Sequence, residues 1–357
     1  MLGLAATNRI MSGRRAPQTA STKDKTMKLL ITGMAGFIGH AVAKQLAPRG
    51  IEIVGIDNLN DYYDVALKRA RLADLEPYAS VRFVACDLTD RDGMQALFAR
   101  ERFTRVIHLA AQAGVRYSLE NPHAYTDSNI SGHLNVLECC AHHAIEHLVY
   151  ASSSSVYGMN PKVPFSTQDS VDQPISLYAA TKKANELMAY TYAHLHRLPV
   201  TGLRFFTVYG PWGRPDMAPF KFTRALLGGE PIQVFNHGDM QRDFTYIDDI
   251  VAGVTRILEV IPLAGSLDGD PGSQRPPYAL YNIGHGSPVA LMDFIHALEK
   301  ATGRQARCDF QPMQPGDVPR TWADTEAFFA ATGYRPRIGV EEGVARFVDW
   351  YRRFYRV

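Results

Sequence analysis

The sequence lacks most of the features that mark specialised protein classes. No run approaches eighteen consecutive apolar residues, so no membrane-crossing helix is expected. Cysteine is scarce. Cys86, Cys139, Cys140 and Cys308 show no Cys-x-x-Cys spacing and no secretory context, which favours packing residues and reduced thiols in a cytoplasmic setting. An excess of one charge sign is also missing. The 38 Lys and Arg against 36 Asp and Glu leave a net charge of +2, giving no reason to invoke nucleic acid or an anionic membrane. His133, His142, His143 and His147 cluster without acidic partners at ligand spacing, so they read as surface or packing residues and no metal is expected.

What remains is an ordinary globular composition, 46% hydrophobic and 21% charged over 357 residues, long enough for one large domain or two joined ones. Residues 1–26 are of different material: small, polar and basic, with no apolar core of signal-peptide length. They read as a disordered N-terminal extension, with Met27 the natural first residue of the fold.

From Lys28 the pattern is strand, glycine turn, helix: KLLIT, then GMAGFIG, then HAVAKQLAPRG, stopping at Gly50. Gly33 permits a tight turn, Gly36 a close approach to pyrophosphate, and Gly39 close packing of helix on strand. The unpaired N–H groups of the helix start face the phosphates. A second strand, IEIVGID, ends in Asp57, twenty-four residues after Gly33. There a carboxylate accepts bonds from the adenosine ribose and repels a 2′-phosphate, so NAD is expected rather than NADP. VRFVACDL brings Asp87 toward the adenine edge, and RVIHLAAQAG offers the small Ala110 and Ala111 beside a cofactor. Asn129 begins a helical stretch with a buried or intersubunit face.

HLVYASSSS is a fifth strand that delivers serines, among them Ser153 and Ser155, and SLYAATKKANE follows. In Tyr178-x-x-x-Lys182 four residues make one helical turn, so phenol and ammonium share a face. The ammonium is expected to lower the phenol's pKa toward working pH. This is equipment for taking a proton from an alcohol while a hydride leaves its carbon. PVTGLRFFTVYGP is the sixth strand. The alternation predicts an α/β fold, a Rossmann-type doubly wound parallel sheet with a smaller C-terminal lobe. The expected division is 27–210 for NAD binding, with 240–290 returning to it, and 211–239 with 291–357 for the substrate. Arg214 and Arg320 lie in Pro/Gly-rich stretches of that lobe and Arg242 in a loop stretch just past 239, which points to an anionic substrate. Residues 264–277 read as a mobile loop, and IGVEEGVARFVDWYRRFYRV as an amphipathic helix.

From Met27 onward the chain resembles the nucleotide-sugar branch of the extended short-chain dehydrogenases, the NAD-dependent epimerase/dehydratase family. GMAGFIG, HLAAQAGV, SSSSVYG, YAATKKANE, LRFFTVYGPWGRPDMA and GDMQRDFTYIDDIV match together, and the combination looks like the UDP-glucuronate 4-epimerases. The resemblance implies that Tyr178 is the base, that Lys182 holds the nicotinamide ribose, and that Ser153 and Ser155 bond the reacting 4-hydroxyl. It implies an NAD site of Gly33, Gly36, Phe37, Ile38, Gly39, Asp57, Asn58, Asp87, Leu88, Ala110, Ala111 and Asn129, together with Tyr178 and Lys182. It places Thr207 and Arg214 on the sugar carboxylate, Arg242 and Arg320 on the diphosphate, Asp317 on the uridine ribose, and Arg116 in the same UDP-sugar site. A homodimer through the helices of 129–147 and 180–195 is also implied.

Neighbouring activities differ at readable positions. The 4,6-dehydratases place an Asp-Glu pair after the serine strand, where Ser154 and Ser155 stand here, and the decarboxylating relatives place a glutamate there. Against a neutral-sugar UDP-glucose 4-epimerase only the arginine of WGRP argues for an acidic sugar. A non-catalytic NAD-sensing regulator needs the glycines and Asp57 but has no use for Tyr178, Lys182 and Ser155 together.

Overall fold

Lys28–Thr32 (β1) is buried along almost its whole length, with Leu29, Leu30, Ile31 and Thr32 at 0% exposure. A strand covered on both faces belongs to a parallel sheet with helices on either side. The computed structural model describes residues 27–267, 270–314 and 316–357, so the extension expected over 1–26 lies outside the described residues. Glu52–Asp57 (β2), Val81–Ala85 (β3), Arg105–His108 (β4), His147–Ser153 (β5), Val200–Phe205 (β6) and Tyr278–Ile283 (β7) join β1 in one sheet. Its order is β7-β6-β5-β4-β1-β2-β3, parallel throughout. The order reverses between β1 and β4, which opens a crevice above their C-terminal ends.

Alternation along β1 sorts the core. Leu29 and Ile31 pack with Val42 and Leu46 of Phe37–Leu46 (α1) on one face. Leu30 packs on the other with Leu97 and Phe98 of Arg91–Glu101, Cys140 of Gly132–His142, and Ala189 and Ala193 of Leu177–His196. Cys139 and Cys140 are buried free thiols, as a packing role requires. His147, at 0% exposure, bonds Leu258 O and Thr201 Oγ1.

Beyond β6 lie the helices Ala218–Gly228, Leu291–Thr302 and Val340–Tyr355. The short pairings of Ile232–Val234 with Cys308–Phe310 and of Gln241–Arg242 with Val289–Ala290 accompany them. The C-terminal helix forms as its apolar spacing predicts and buries Val344, Phe347, Val348 and Tyr351. The loop expected at 264–277 is instead partly paired: Gly265–Leu267 runs antiparallel to Asp270–Arg275. Asp, Gly and Pro make such a run look like coil by composition, but the ladder pairs Gly265 with Arg275, Ser266 with Gln274 and Leu267 with Asp270, and so passes over Pro271, which has no N–H to give.

Candidate active site

β1 is followed by Gly33, whose φ of +72° is available to glycine at little cost. Its N–H donates to Ile56 O at 2.7 Å, and a Cβ there would sit 2.8 Å from Ala110 N. Gly39 is tighter still, since a Cβ would lie 2.1 Å from Gly33 O. Gly36 precedes α1 without a side-chain cap, and the first turn of the helix holds no acidic residue. Its free N–H groups therefore offer an uncontested seat for phosphate. Thr32 secures the facing strand end, its Oγ1 accepting from Leu109 N at 3.1 Å and Ala110 N at 3.0 Å.

These elements border a cavity of about 360 Å³. Gly33, Gly36, Phe37, Ile38, Gly39, Asp57, Asn58, Asp87, Leu88, Ala110 and Ala111 all line it, and so do Ser153, Ser155, Tyr178, Lys182, Thr207 and Arg214. Burial pushes the Asp57 carboxyl upward, opposed by the Leu59 N–H at 2.9 Å. Burial also acts on Asp87, but bonds from Asn58 and Thr89 outweigh it and hold its pKa down. A crevice with a phosphate seat at the start of α1 and the Asp57 carboxylate at the end of β2 suits a dinucleotide.

Leu177–His196 begins where Ser176 Oγ accepts from Ala179 N at 3.1 Å, and this cap places Tyr178 and Lys182 one turn apart over β5. Ser153 Oγ accepts from Ser155 N at 3.2 Å, so the two serines form one local unit. The phenol itself departs from expectation. Burial pushes the Tyr178 pKa up, and only hydrogen bonding by Ser153 and the Arg214 charge oppose it. Lys182 is not the tuner, because its Nζ donates to Ala151 O at 2.8 Å and sits 6.0 Å from the phenol ring centroid. Burial brings the Lys182 pKa down to about 8.

Two other expectations need correction. Asn129 does not border the cavity: its Oδ1 accepts from Gln112 N, and its Nδ2 donates to Gln112 O and Thr181 Oγ1. It clamps the β4 exit to the catalytic helix instead. Arg320 is exposed, bridging to Gln241 outside both clefts. Arg214 is not a free cation, since Nε and Nη2 bind both carboxylate oxygens of Asp216, the Nε contact at 3.0 Å. Tyr62 Oη adds a bond to the same carboxylate at 3.1 Å. Asp216 stands two residues from Arg214 in the sequence, so the pairing had a visible signal.

A second cleft of about 660 Å³ adjoins the first and shares Ser155, Thr207 and Met217 with it. Arg116, Arg242 and Asp317 line it. Lys221, Arg224 and Phe235 join them there without having been foreseen. The Arg116 guanidinium stands 4.9 Å from the Phe235 ring centroid and 3.4 Å from Asp317. Lys221 and Arg224 come from one face of Ala218–Gly228, a helix whose positions resemble any amphipathic surface in sequence.

The glycine turn, the Asp57 strand end and the Ser–Tyr–Lys centre define a dinucleotide-dependent α/β enzyme acting on an alcohol or ketone carbon. Residues 29–297 match the NAD dependent epimerase/dehydratase family, and the chain belongs to it. A probable UDP-glucuronate 4-epimerase of Rhizobium meliloti is 50% identical over 335 residues, covering 92% of this chain and 98% of that one. Among solved structures, UDP-glucuronic acid 4-epimerase from Bacillus cereus, in complex with UDP-glucuronic acid and NAD, superposes with a TM-score of 0.82. It is 32% identical and covers 92% of this chain and 100% of its own. A UDP-glucose 4-epimerase of Thermotoga maritima with UDP-glucose gives 0.81 at 28% identity, covering 92% and 100%.

Proposed function

We propose that the protein interconverts UDP-glucuronate and UDP-galacturonate at C4, with NAD as a retained cofactor. The observation that carries this reading is the junction of the two clefts. Ser155 and Thr207 border both, with Tyr178 and Arg214 beside them on the cofactor side. The cofactor supplies reversible acceptance of one hydride. Tyr178 takes the 4-hydroxyl proton, with Ser153 and Ser155 holding that oxygen, and returns it after the 4-keto sugar has turned its other face. Lys182, anchored on Ala151 O, holds the ribose side. Arg116, Arg242 and Asp317 hold the nucleotide end.

A 4-ketone β to the C6 carboxylate loses carbon dioxide when the C5–C6 bond aligns with the carbonyl π system. Arg214, with Thr207, prevents that alignment by pinning the carboxylate and, through it, the C4–C5 ring torsion that sets the angle of the C5–C6 bond to the carbonyl. The Asp216 pair holds the guanidinium fork in a set direction while leaving Nη1 without an acceptor among the described residues. Arg214→Ala is expected to raise KM for UDP-glucuronate about ten- to hundredfold, the worth of a charged hydrogen bond, and to release UDP-pentose. Unchanged KM with purely epimerised product would sink this role.

The defining experiment incubates purified protein with UDP-glucuronate and no added NAD, then resolves the products. UDP-galacturonate of unchanged mass supports the reading. A UDP-pentose from the native protein means a decarboxylase, and conversion of UDP-glucose alone means a neutral-sugar epimerase.

We also propose that this cytoplasmic enzyme works as a homodimer. Leu134 on Gly132–His142 and Leu187 and Tyr190 on the adjoining Leu177–His196 are 39%, 57% and 47% exposed. Such an apolar face is suited to a second copy. Leu187→Glu with Tyr190→Glu should halve the mass measured by light scattering. A monomeric native protein would refute the proposal.

A further inference from the structure

Arg71 is one of the largest fully buried side chains, at 0% exposure, yet all five of its N–H contacts end on neutral oxygens. It lies on Val65–Ala73 (α2), away from the reacting atoms. Burying a guanidinium on neutral partners is costly unless every donor is satisfied, so the identity of those partners matters. Nη1 donates to Ala35 O at 2.9 Å and Tyr63 Oη at 2.7 Å. Nη2 donates to Trp212 O at 2.6 Å and Gly213 O at 3.3 Å, and Nε to Trp212 O at 3.2 Å.

Apart from Tyr63, eight residues before Arg71, those acceptors come from two separate functional loops. Ala35 lies between Gly33 and Gly36 in the phosphate turn. Trp212 and Gly213 immediately precede Arg214. Trp212 has a φ of +66°, a left-handed conformation that a bulky residue keeps only where its surroundings hold it. Its carbonyl is the one gripped twice. The indole is fixed independently, 5.4 Å from Trp350 and 5.0 Å from Phe354 between ring centroids.

We propose that Arg71 is a positioning residue that ties the phosphate turn to the loop aiming Arg214. This rests on the epimerase reading above. A shift of the turn moves the guanidinium fork, the fork moves the Trp212–Gly213 peptides, and these set where Arg214 points. Lysine cannot do this, because one ammonium nitrogen does not span two loops as a planar fork does.

The test purifies Arg71→Lys and the milder Tyr63→Phe, which removes a single acceptor, beside the native enzyme. For Arg71→Lys we expect NAD dissociation about tenfold faster and KM for UDP-glucuronate about tenfold higher, the scale of a sub-ångström displacement. The share of UDP-pentose among the products should rise, with helix content unchanged by circular dichroism. Tyr63→Phe should move all three in the same direction by less. A purely structural role would lower the active fraction while leaving KM, product ratio and NAD release as in the native protein, and that result overturns the proposal. If Arg71→Lys does not fold, the same three readouts on Tyr63→Phe decide. If the native enzyme leaves UDP-glucuronate untouched, the function reading fails, and the NAD dissociation rate alone decides whether the tether exists.

Discussion

Tyr178→Phe is expected to lower kcat for UDP-glucuronate by roughly 10³-fold, within the usual worth of a positioned acid–base group, while the protein still folds and retains NAD. The ring stays, so its edge contact with Tyr125 at 6.1 Å between centroids survives; only the proton-carrying oxygen is lost. The loss should fall on kcat rather than KM, because the phenol acts on a bond that changes in the transition state. Steady-state kinetics with a coupled product assay, plus the absorbance of released NAD, would measure both. Retention of more than about a tenth of native kcat would mean that the proton leaves by another group, with Ser155 first to be tested.

Glu186→Ala should cost about 3–5 kcal/mol of stability, the usual penalty for leaving one half of a buried ion pair behind. Glu186 and Arg204 expose 5% and 3% of their side chains and meet through two bonds of 2.8 Å. Ser152 Oγ also donates to Glu186 at 2.6 Å, one residue before the reacting Ser153. The carboxylate thus fastens the catalytic helix to the ends of β5 and β6. Removing it strands an arginine and a hydroxyl together, so a lowered urea midpoint should accompany loss of activity. A stability within about 1 kcal/mol of native would show that water or the Tyr157 ring face, 4.8 Å from the Arg204 guanidinium, offsets the stranded charge.

The chemistry of this protein is legible in residues close together along the chain. Gly33, Gly36 and Gly39 announce a turn because only glycine satisfies the φ and the close approaches there. Asp57 closes a strand at the length a βαβ unit allows, and Tyr178 and Lys182 share a face because four residues make a helical turn. These are short-range rules, and one stretch of sequence is enough to apply them.

What neighbours across the fold do to those residues was decided only by the tertiary structure. The Tyr178 phenol is pushed up rather than down because burial outweighs the charges near it, and burial is a property of the packed molecule. Arg320 reads like Arg242 in sequence, yet one is exposed and the other lines the substrate cleft. Arg71 carries no signal in its own helix, and its role comes from Ala35 and Trp212, 36 and 141 residues away. Local backbone rules set which groups are available, while long-range packing sets their solvation, charge partners and aim, because desolvation and Coulomb energies depend on distance in space and not on separation along the chain.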